Sequence, residues 1–334
     1  MSDVLILRHL KVEGANAIAG QTWGFPAISN FLGFVHALSR KAEPELGLTL
    51  EGCGVICHSH QPLSYKTESW GDQTFSLTRN PHFTRKQATK FVKEGTPPPF
   101  VEEGRMLMDV SLVIPVEGRI RSGDDHRREL AAQLSLWVQM QRLAGGTIRE
   151  LGSVELQTIP DDEAEASRTT RKLLRSLLPG FALVSRAETL TDHLSDLRQS
   201  NPQTEAIDAW LDFAALKYQA EQPEEETAAD VPVAWQRIPK PASGWIVPIT
   251  IGYRGISELH EPGTVTRTRD GKTAFRFVES VYSIGQWLSP HRVTLLDDLV
   301  WHYDADPDAG WYLCTNNWQP PLEDSDSPFI HSPA

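Results

Sequence analysis

Cysteine is scarce, three in 334 residues. An odd, low number in a chain of this length argues against a disulfide framework and fits a reducing cytoplasm. Long apolar runs are missing as well. No stretch approaches the ~20 consecutive apolar residues of a membrane helix, so no membrane contact is expected. The opening MSDVLILRHLKVEG has no basic segment before its apolar run and no small-residue cleavage site, unlike a signal peptide. Positive charge is in deficit: Lys+Arg number 32 and Asp+Glu 44, a formal net charge of -12. That excludes a uniformly basic nucleic-acid binder but leaves room for a local cationic surface. There is no G-x-S-x-G, P-loop or H-E-x-x-H motif and no internal repeat. What remains is ordinary globular composition, 40% hydrophobic and 23% charged. Such a chain can bury a core without staples, and its length suggests about two domains.

Periodicity predicts βαββαβ over residues 1–160. Val4 to Glu13 is an apolar run turning to alternation, a strand. After the loop Gly20 to Pro26, Phe31, Phe34, Val35 and Leu38 line one helical face, with Ser29 as N-cap and Arg40 and Lys41 near the C-terminal end. Residues 48–62 form a second strand. A third runs from Arg105 to Val116, with Met106, Met108, Val110, Leu112 and Ile114 on one face and Asp109 and Ser111 on the other. Asp124 and Asp125 open a helix striped by Leu130, Leu134, Trp137 and Val138, which the Ala144-Gly145-Gly146 signal caps. Val154 and Leu156 begin a fourth strand. This order predicts an α+β, ferredoxin-like or RRM-like unit. Residues 64–104 are an outsized insertion between its middle strands, and connections of that length are commonly functional. Beyond 160, an acidic loop (Asp161, Asp162, Glu163, Glu165) precedes a helical segment over 161–219. That segment contains a second helix near 203–219 with Ile207, Trp210, Leu211 and Ala214 at helical spacing. An acidic linker follows at 220–232, then a mixed α+β segment over 233–334, with strands at 244–252 and 274–281 and a helix near 295–302.

Several constellations carry chemistry, each beside an ordinary explanation. Cys53, Cys57, His58 and His60 have the residue types of a zinc site. On one strand, however, the cysteines face one way and the histidines the other, so no metal is expected there. His36 sits beside an apolar stripe and reads as a satisfied core-edge histidine. His291, beside Arg292, is a candidate acid–base group or a structural turn. No nuclease set of base, acid and charge stabiliser emerges. The insertion is more informative. From Arg79 to Lys93 it holds Arg79, Arg85, Lys86, Lys90 and Lys93 with no acid, interleaved with His82, Phe83 and Phe91. Cations neutralise phosphates and aromatic rings stack unpaired bases, so single-stranded RNA suits this surface. Gly145-Gly146, one turn after Arg142, would let a phosphate approach backbone N–H groups, and Trp23 is either a core plug or a stacking residue. Arg168, Arg171, Lys172 and Arg175 form a second acid-free cluster.

Six strings resemble a known family in the same order: ANAIAGQTWGFPAISNFLGFVHAL (15–38), SLTRNP (76–81), VEEGR (101–105), MQRLAGG (140–146), LLPGFALVSR (177–186) and RFVESVYSIGQWLSPHR (276–292). The chain resembles the Csy two family, the handle-capping subunits of type I-F CRISPR surveillance complexes, within the broader Cas five family. The resemblance implies an RRM-like palm with a β-hairpin thumb at 64–104. It implies a subunit that holds the 5′ handle of the CRISPR RNA, pairs with the large subunit, abuts a backbone subunit, lies near target DNA, and works without a cofactor or turnover. On this reading Asn16, Trp23, Arg142, Gly145 and Gly146 hold the handle, and Arg79, Arg85, Lys86 and Lys90 reach its phosphates. Arg168, Arg171, Lys172, Arg175, Arg276, His291 and Arg292 are candidate nucleic-acid or partner contacts. Some Cas five relatives cut RNA, so a metal-independent endoribonuclease that processes repeat RNA is the alternative.

Overall fold

The computed structural model describes residues 2–66, 68, 73–75, 78–80, 84–95, 101–118, 120, 123–220, 234–268 and 270–320. The expected linker at 220–232 therefore lies almost wholly outside the described residues. In chain order the elements are β1 (Ser2–Asn16), β2 (Ile18–Ala19), β3 (Thr22–Trp23), α1 (Ile28–Leu46), β4 (Leu48–Leu50), β5 (Cys53–Pro62), β6 (Ser64–Lys66), β7 (Gln73–Phe75), β8 (Thr78–Asn80), α2 (Arg85–Glu94), β9 (Val101–Glu103) and β10 (Arg105–Gly118). Next are α3 (Asp124–Gln139), β11 (Arg142–Leu143), β12 (Gly146–Leu151), β13 (Val154–Ile159), α4 (Glu163–Ser176), β14 (Phe181–Ser185), α5 (Ala187–Ser200), α6 (Ala206–Ala214) and β15 (Tyr218–Ala220). The chain finishes with β16 (Trp235–Arg237), β17 (Trp245–Gly255), β18 (Val278–Leu288), a 3-10 turn (Pro290–Arg292), α7 (Leu296–Leu299), β19 (Val300–Asp306) and β20 (Trp311–Asn316).

A 12-stranded antiparallel sheet organises this α+β fold. β1 lies between β10 and the consecutive strands β12 and β13, and β10 continues to β5. The alternation expected in β10 is met: Met106, Met108, Val110, Leu112 and Ile114 all enter the core beneath α1 and α3. Val4, Ile6 and Val113 face the opposite way, into a second core sealed by Leu173 and Leu174 of α4 and by Leu177 just beyond it. Beyond β5 the sheet curls. The outer edge of β5 pairs with β19 at Cys53 and Gly54 and with β14 at Ile56 and Cys57. The path β14-β18-β17-β20-β19 thus returns to the strand it left. Trp301 fills the space inside, fully buried, and its indole N–H donates to the Leu183 carbonyl at 2.7 Å.

Local structure departs from the sequence expectations at identifiable points. α1 starts at Ile28 on an Ala27 N-cap, so Ser29 caps nothing, and it runs past Arg40 and Lys41, through Pro44, to a left-handed Gly47. A proline inside a helix costs about 3 kcal/mol. Burying each of Phe31, Phe34, Val35 and Leu38 contributes about 1.5–3 kcal/mol, so the apolar stripe wins. Lys41, no longer terminal, lies over the Trp137 ring at 4.7 Å. α3 ends at Gln139, and Ala144-Gly145 is not its cap. Both residues have positive φ, +50° and +75°, the pattern of a tight two-residue turn joining β11 to β12. The helix expected near 203–219 is confined to Ala206–Ala214. The helix expected near 295–302 is the single turn of α7, with His302 already in β19. The insertion is no plain hairpin: its described part contains two short strand pairs and α2.

Candidate nucleic-acid interface

One end of the β1–β10 ladder collects residues that are far apart in sequence. At the exit of β1 the Asn16 N–H donates to the Ala144 carbonyl (2.8 Å), which ties β1 to the β11–β12 turn. The Ala17 N–H donates to the Gly104 carbonyl (2.9 Å) at the root of the insertion, and the Gly24 N–H returns to the Ala17 carbonyl (2.8 Å). The Asn16 side-chain oxygen accepts from the Ile18 N–H at 3.3 Å. Arg105 braces the same corner, donating to the Gly14 carbonyl at 3.0 Å and pairing with Glu103. Gly146 sits where a Cβ would lie 2.6–2.8 Å from Val12 Cγ1, the Ala15 nitrogen and the Glu13 carbonyl oxygen, so only glycine lets β12 approach β1.

The β2–β3 hairpin is anchored from the far half of the chain. The Thr22 and Thr250 hydroxyls both lie within 2.9 Å of the buried Ala19 carbonyl oxygen, and the Tyr282 hydroxyl accepts from the Gln21 N–H at 3.0 Å. The hairpin holds Trp23 64% exposed, edge-on to Phe75 of the insertion at 5.8 Å. Trp23 is therefore a presented ring rather than a core plug. Beneath it lies a cavity of about 180 Å³ lined by Phe25, His60, Trp245 and Trp287 among others. Asn16, Trp23, Gly145 and Gly146 are thus gathered in one place, with Arg142 exposed on β11 beside them. Sequence reasoning missed Thr22, Thr250 and Tyr282, whose partners are more than 200 residues away.

Of the cations expected to reach phosphates, three lie on α2 and Arg79 lies on β8, while the second cluster lies on α4. Arg85, Lys86 and Lys90 are exposed on α2, as is Lys93. A Thr84–Gln87 capping box starts α2, and none of its residues is buried. Lys90 approaches Glu94 at 3.8 Å, an exposed pair worth little. Arg79 is in β8 opposite Glu102, and its side chain lies outside the described residues, as do His82 and Phe83. Arg168, Arg171, Lys172 and Arg175 are all exposed on α4. Arg292 and His291 are exposed in the 3-10 turn, with His291 Nδ1 2.8 Å from the Ser289 hydroxyl. Arg276 is half-buried against Gly255 and Gly310 and donates to the Pro307 carbonyl at 2.8 Å, bracing the turn between β19 and β20.

The sheet itself is no cationic platform. α4 covers part of one face. On the open remainder Lys11 pairs with Glu150 and Arg149 with Glu13, each at 2.6 Å. These lie around a concavity of about 840 Å³ that also takes in Asp109 and Leu107. Hydrogen bonding and charge between Lys11 and Glu150 raise the lysine and lower the carboxyl from their ordinary pKa values.

His60 departs from expectation. A bulge in the β5–β10 register sets His60 opposite the buried Met108, on the cysteine side, where it meets Phe25 edge-on at 6.2 Å. Burial lowers its pKa. Cys53 and Cys57 are buried thiols in the core, and burial pushes Cys57 up to about 12. His36 meets Tyr303 edge-on.

A second bulge, in β1 between Leu7 and Leu10, turns His9 to φ +49° and brings it beside His58 and Asp109. The residue types suit a divalent ion, but the geometry favours a hydrogen-bonded network. His9 Nδ1 is 3.1 Å from both Asp109 oxygens. His58 Nδ1 is 2.6 Å from the Pro179 carbonyl, which assigns the proton there, so its Nε2 accepts from the Ser111 hydroxyl at 2.7 Å. The two rings stack with centroids 4.2 Å apart, and planes so close to parallel do not meet at one ion at bonding distance. A parity change in the sequence, Leu5 and Leu7 followed by Leu10 and Val12, signals this bulge.

The family model for CRISPR-associated protein (Cas_Csy2) matches residues 5–314. The CRISPR-associated protein Csy2 of Pseudomonas aeruginosa (strain UCBPP-PA14) is 39% identical over 319 residues, covering 92% of this chain and 94% of that protein. On a match spanning every element from β1 to β20, this chain belongs to the Csy2 family of CRISPR-associated proteins.

Proposed function

We propose that this chain is a non-catalytic, RNA-binding subunit of a cytoplasmic type I-F CRISPR RNA-guided surveillance complex, the Csy form of Cascade, in antiviral defence. It grips the 5′ handle of the CRISPR RNA, pairs with the large subunit and abuts a backbone subunit. The observation that carries this reading is the convergence of Asn16, the presented Trp23, the Arg142–Gly146 turn and the root of the insertion at one end of β1. Rigid backbone N–H groups, a projecting ring and nearby cations are the parts that hold a single strand. A ferredoxin-like, RRM-like palm accords with the βαββαβ order and with the fourth, first, third and second strands lying side by side. The insertion acts as the thumb, with α2 carrying Arg85, Lys86 and Lys90 to phosphates and Arg79 at its base.

Two variants test the reading. Replacing Arg85 and Lys86 by alanine removes two phosphate contacts and flattens the salt slope for handle RNA by about 1.4, at ~0.7 per contact on a single strand. Trp23→Ala removes one stacking platform, a loss of about 1–3 kcal/mol. Handle RNA bound with unchanged affinity and slope by both variants would defeat the proposal. Cleavage of repeat RNA by pure protein, abolished by His291→Ala, would instead establish the ribonuclease.

A further inference from the structure

The proposed handle site leaves one strongly charged surface unused. Arg168, Arg171, Lys172 and Arg175 stand at i, i+3, i+4 and i+7 on α4, so they form one stripe along about 10 Å of helix. All four are exposed, and none makes an ion pair with a described acid. Among the described residues the only side-chain bond on the stripe joins Arg171 to the Ser167 hydroxyl at 2.9 Å. The opposite face of α4 is seated on the second core through Leu173 and Leu174. The helix is pinned at both ends. Asp162 accepts from the Glu165 N–H at 2.9 Å, and Arg8 reaches from β1 to the Ser176 carbonyl and hydroxyl at 3.2 and 2.9 Å. The stripe is therefore held in place before any ligand arrives. The Pro290–Arg292 turn packs beside α4, with Val293 in the same core, and adds the exposed Arg292 and His291 to this side.

The chemistry of the stripe selects among polyanions. A protein partner needs a desolvated apolar centre, and no large apolar residue of α4 is exposed. Single strands are held by aromatic rings that stack bases, and α4 carries none. What remains is a rigid row of guanidinium and ammonium groups. Duplex DNA presents one negative charge per ~1.7 Å of axis, so about six phosphates lie within the length of the row. The place also differs from the handle site. α4 covers Val4 and Ile6, near the start of β1, whereas Asn16 ends that strand ten residues further on, roughly 30 Å away at 3.3 Å per residue.

We propose that α4 is a sequence-independent docking surface for the phosphate backbone of double-stranded nucleic acid, separate from the single-strand site. The full chain is titrated by fluorescence anisotropy against a 25-base-pair DNA of arbitrary sequence, from about 50 to 200 mM salt. The variant with Arg168, Arg171, Lys172 and Arg175 all replaced by alanine should bind at least about tenfold more weakly at 0.1 M salt, with a slope shallower by about 3–4 at ~0.9 per contact. Since all four side chains are exposed, its melting curve should match the parent's. The variant Arg168→Lys, Arg171→Lys, Arg175→Lys keeps the charge and should keep the slope. The α4 alanine variant should keep the parent's affinity for handle RNA, so failure of the handle reading and failure of this one are told apart. An unchanged slope in the alanine variant overturns the proposal. So does loss of slope in the lysine variant, or loss of binding to an acidic protein partner in place of the duplex.

Discussion

A single methyl group at Gly146 tests how the interface is assembled. In Gly146→Ala the new Cβ would lie 2.6 Å from Val12 Cγ1, 2.7 Å from the Ala15 nitrogen and 2.8 Å from the Glu13 carbonyl oxygen. The last two are backbone atoms of β1, which is hydrogen-bonded on both edges and cannot withdraw. The β11–β12 hairpin must lift instead. Overpacking of this kind costs about 1–3 kcal/mol. The Asn16 to Ala144 bond that the lift stretches is worth about 1 kcal/mol more. At ~2.1 cal/mol/K per residue, 334 residues give an unfolding entropy near 0.7 kcal/mol/K, so Tm should fall by about 3–6 °C. Gly145 is the internal control. Its φ of +75° strains an alanine by about 1–2 kcal/mol, but its Cβ would meet only Arg105 Nη1 at 3.5 Å. Gly145→Ala should therefore lose about half as much, and Gly145→Asn, which tolerates left-handed backbone, less again. Calorimetry of the three variants reads the order, and titration with handle RNA should rank them the same way. A Gly146→Ala protein that melts with its parent, or above Gly145→Ala, refutes the close approach of β12 to β1.

Two further outcomes follow from titrating groups. Burial would raise Asp212, but hydrogen bonds from Lys217 and His193, with their charges, outweigh it and hold the carboxyl below its ordinary value. A carboxyl depressed in the folded state stabilises above its unfolded pKa of about 3.9 and loses that stabilisation as pH falls through the lower folded value. Acid titration should therefore show Asp212→Asn less stable than the parent at pH 6, with the difference shrinking as pH falls below about 4 and vanishing only below the carboxyl's lowered folded value; a constant difference would refute the ion triad. Burial pushes the Cys57 and Cys314 thiols up to about 12 and raises Cys53 further. At pH 8 a thiol-specific reagent should label none of the three in native protein and all three in denaturant, and fast native labelling would contradict their burial.

The elements read best from sequence are those whose period matches a single buried face. All five core residues predicted for β10 are found in the main core, where Val116 joins them, while Val113 faces the second core. The stripes of α1 and α3 hold equally well. Errors fall where a short local signal had two physical meanings. Gly145-Gly146 reads as a helix cap or a turn, and Ala144 at φ +50° decides for the turn. His58 and His60 share a face only in a regular strand, and a bulge separates them. The α2 cations were legible as charge but not as a helix, because a helix that buries nothing leaves no apolar period to read.

Composition and order alone determined that this is an α+β chain without disulfides and that its cations cluster in an otherwise anionic protein. Those properties are local, set by side-chain chemistry and by periods of two and 3.6 residues. Only the tertiary structure decided that the β2–β3 hairpin is locked by Thr250 and Tyr282 and that β19 returns to β5. Each of these joins residues distant in the chain through hydrogen bonds and packing whose partners no local pattern encodes.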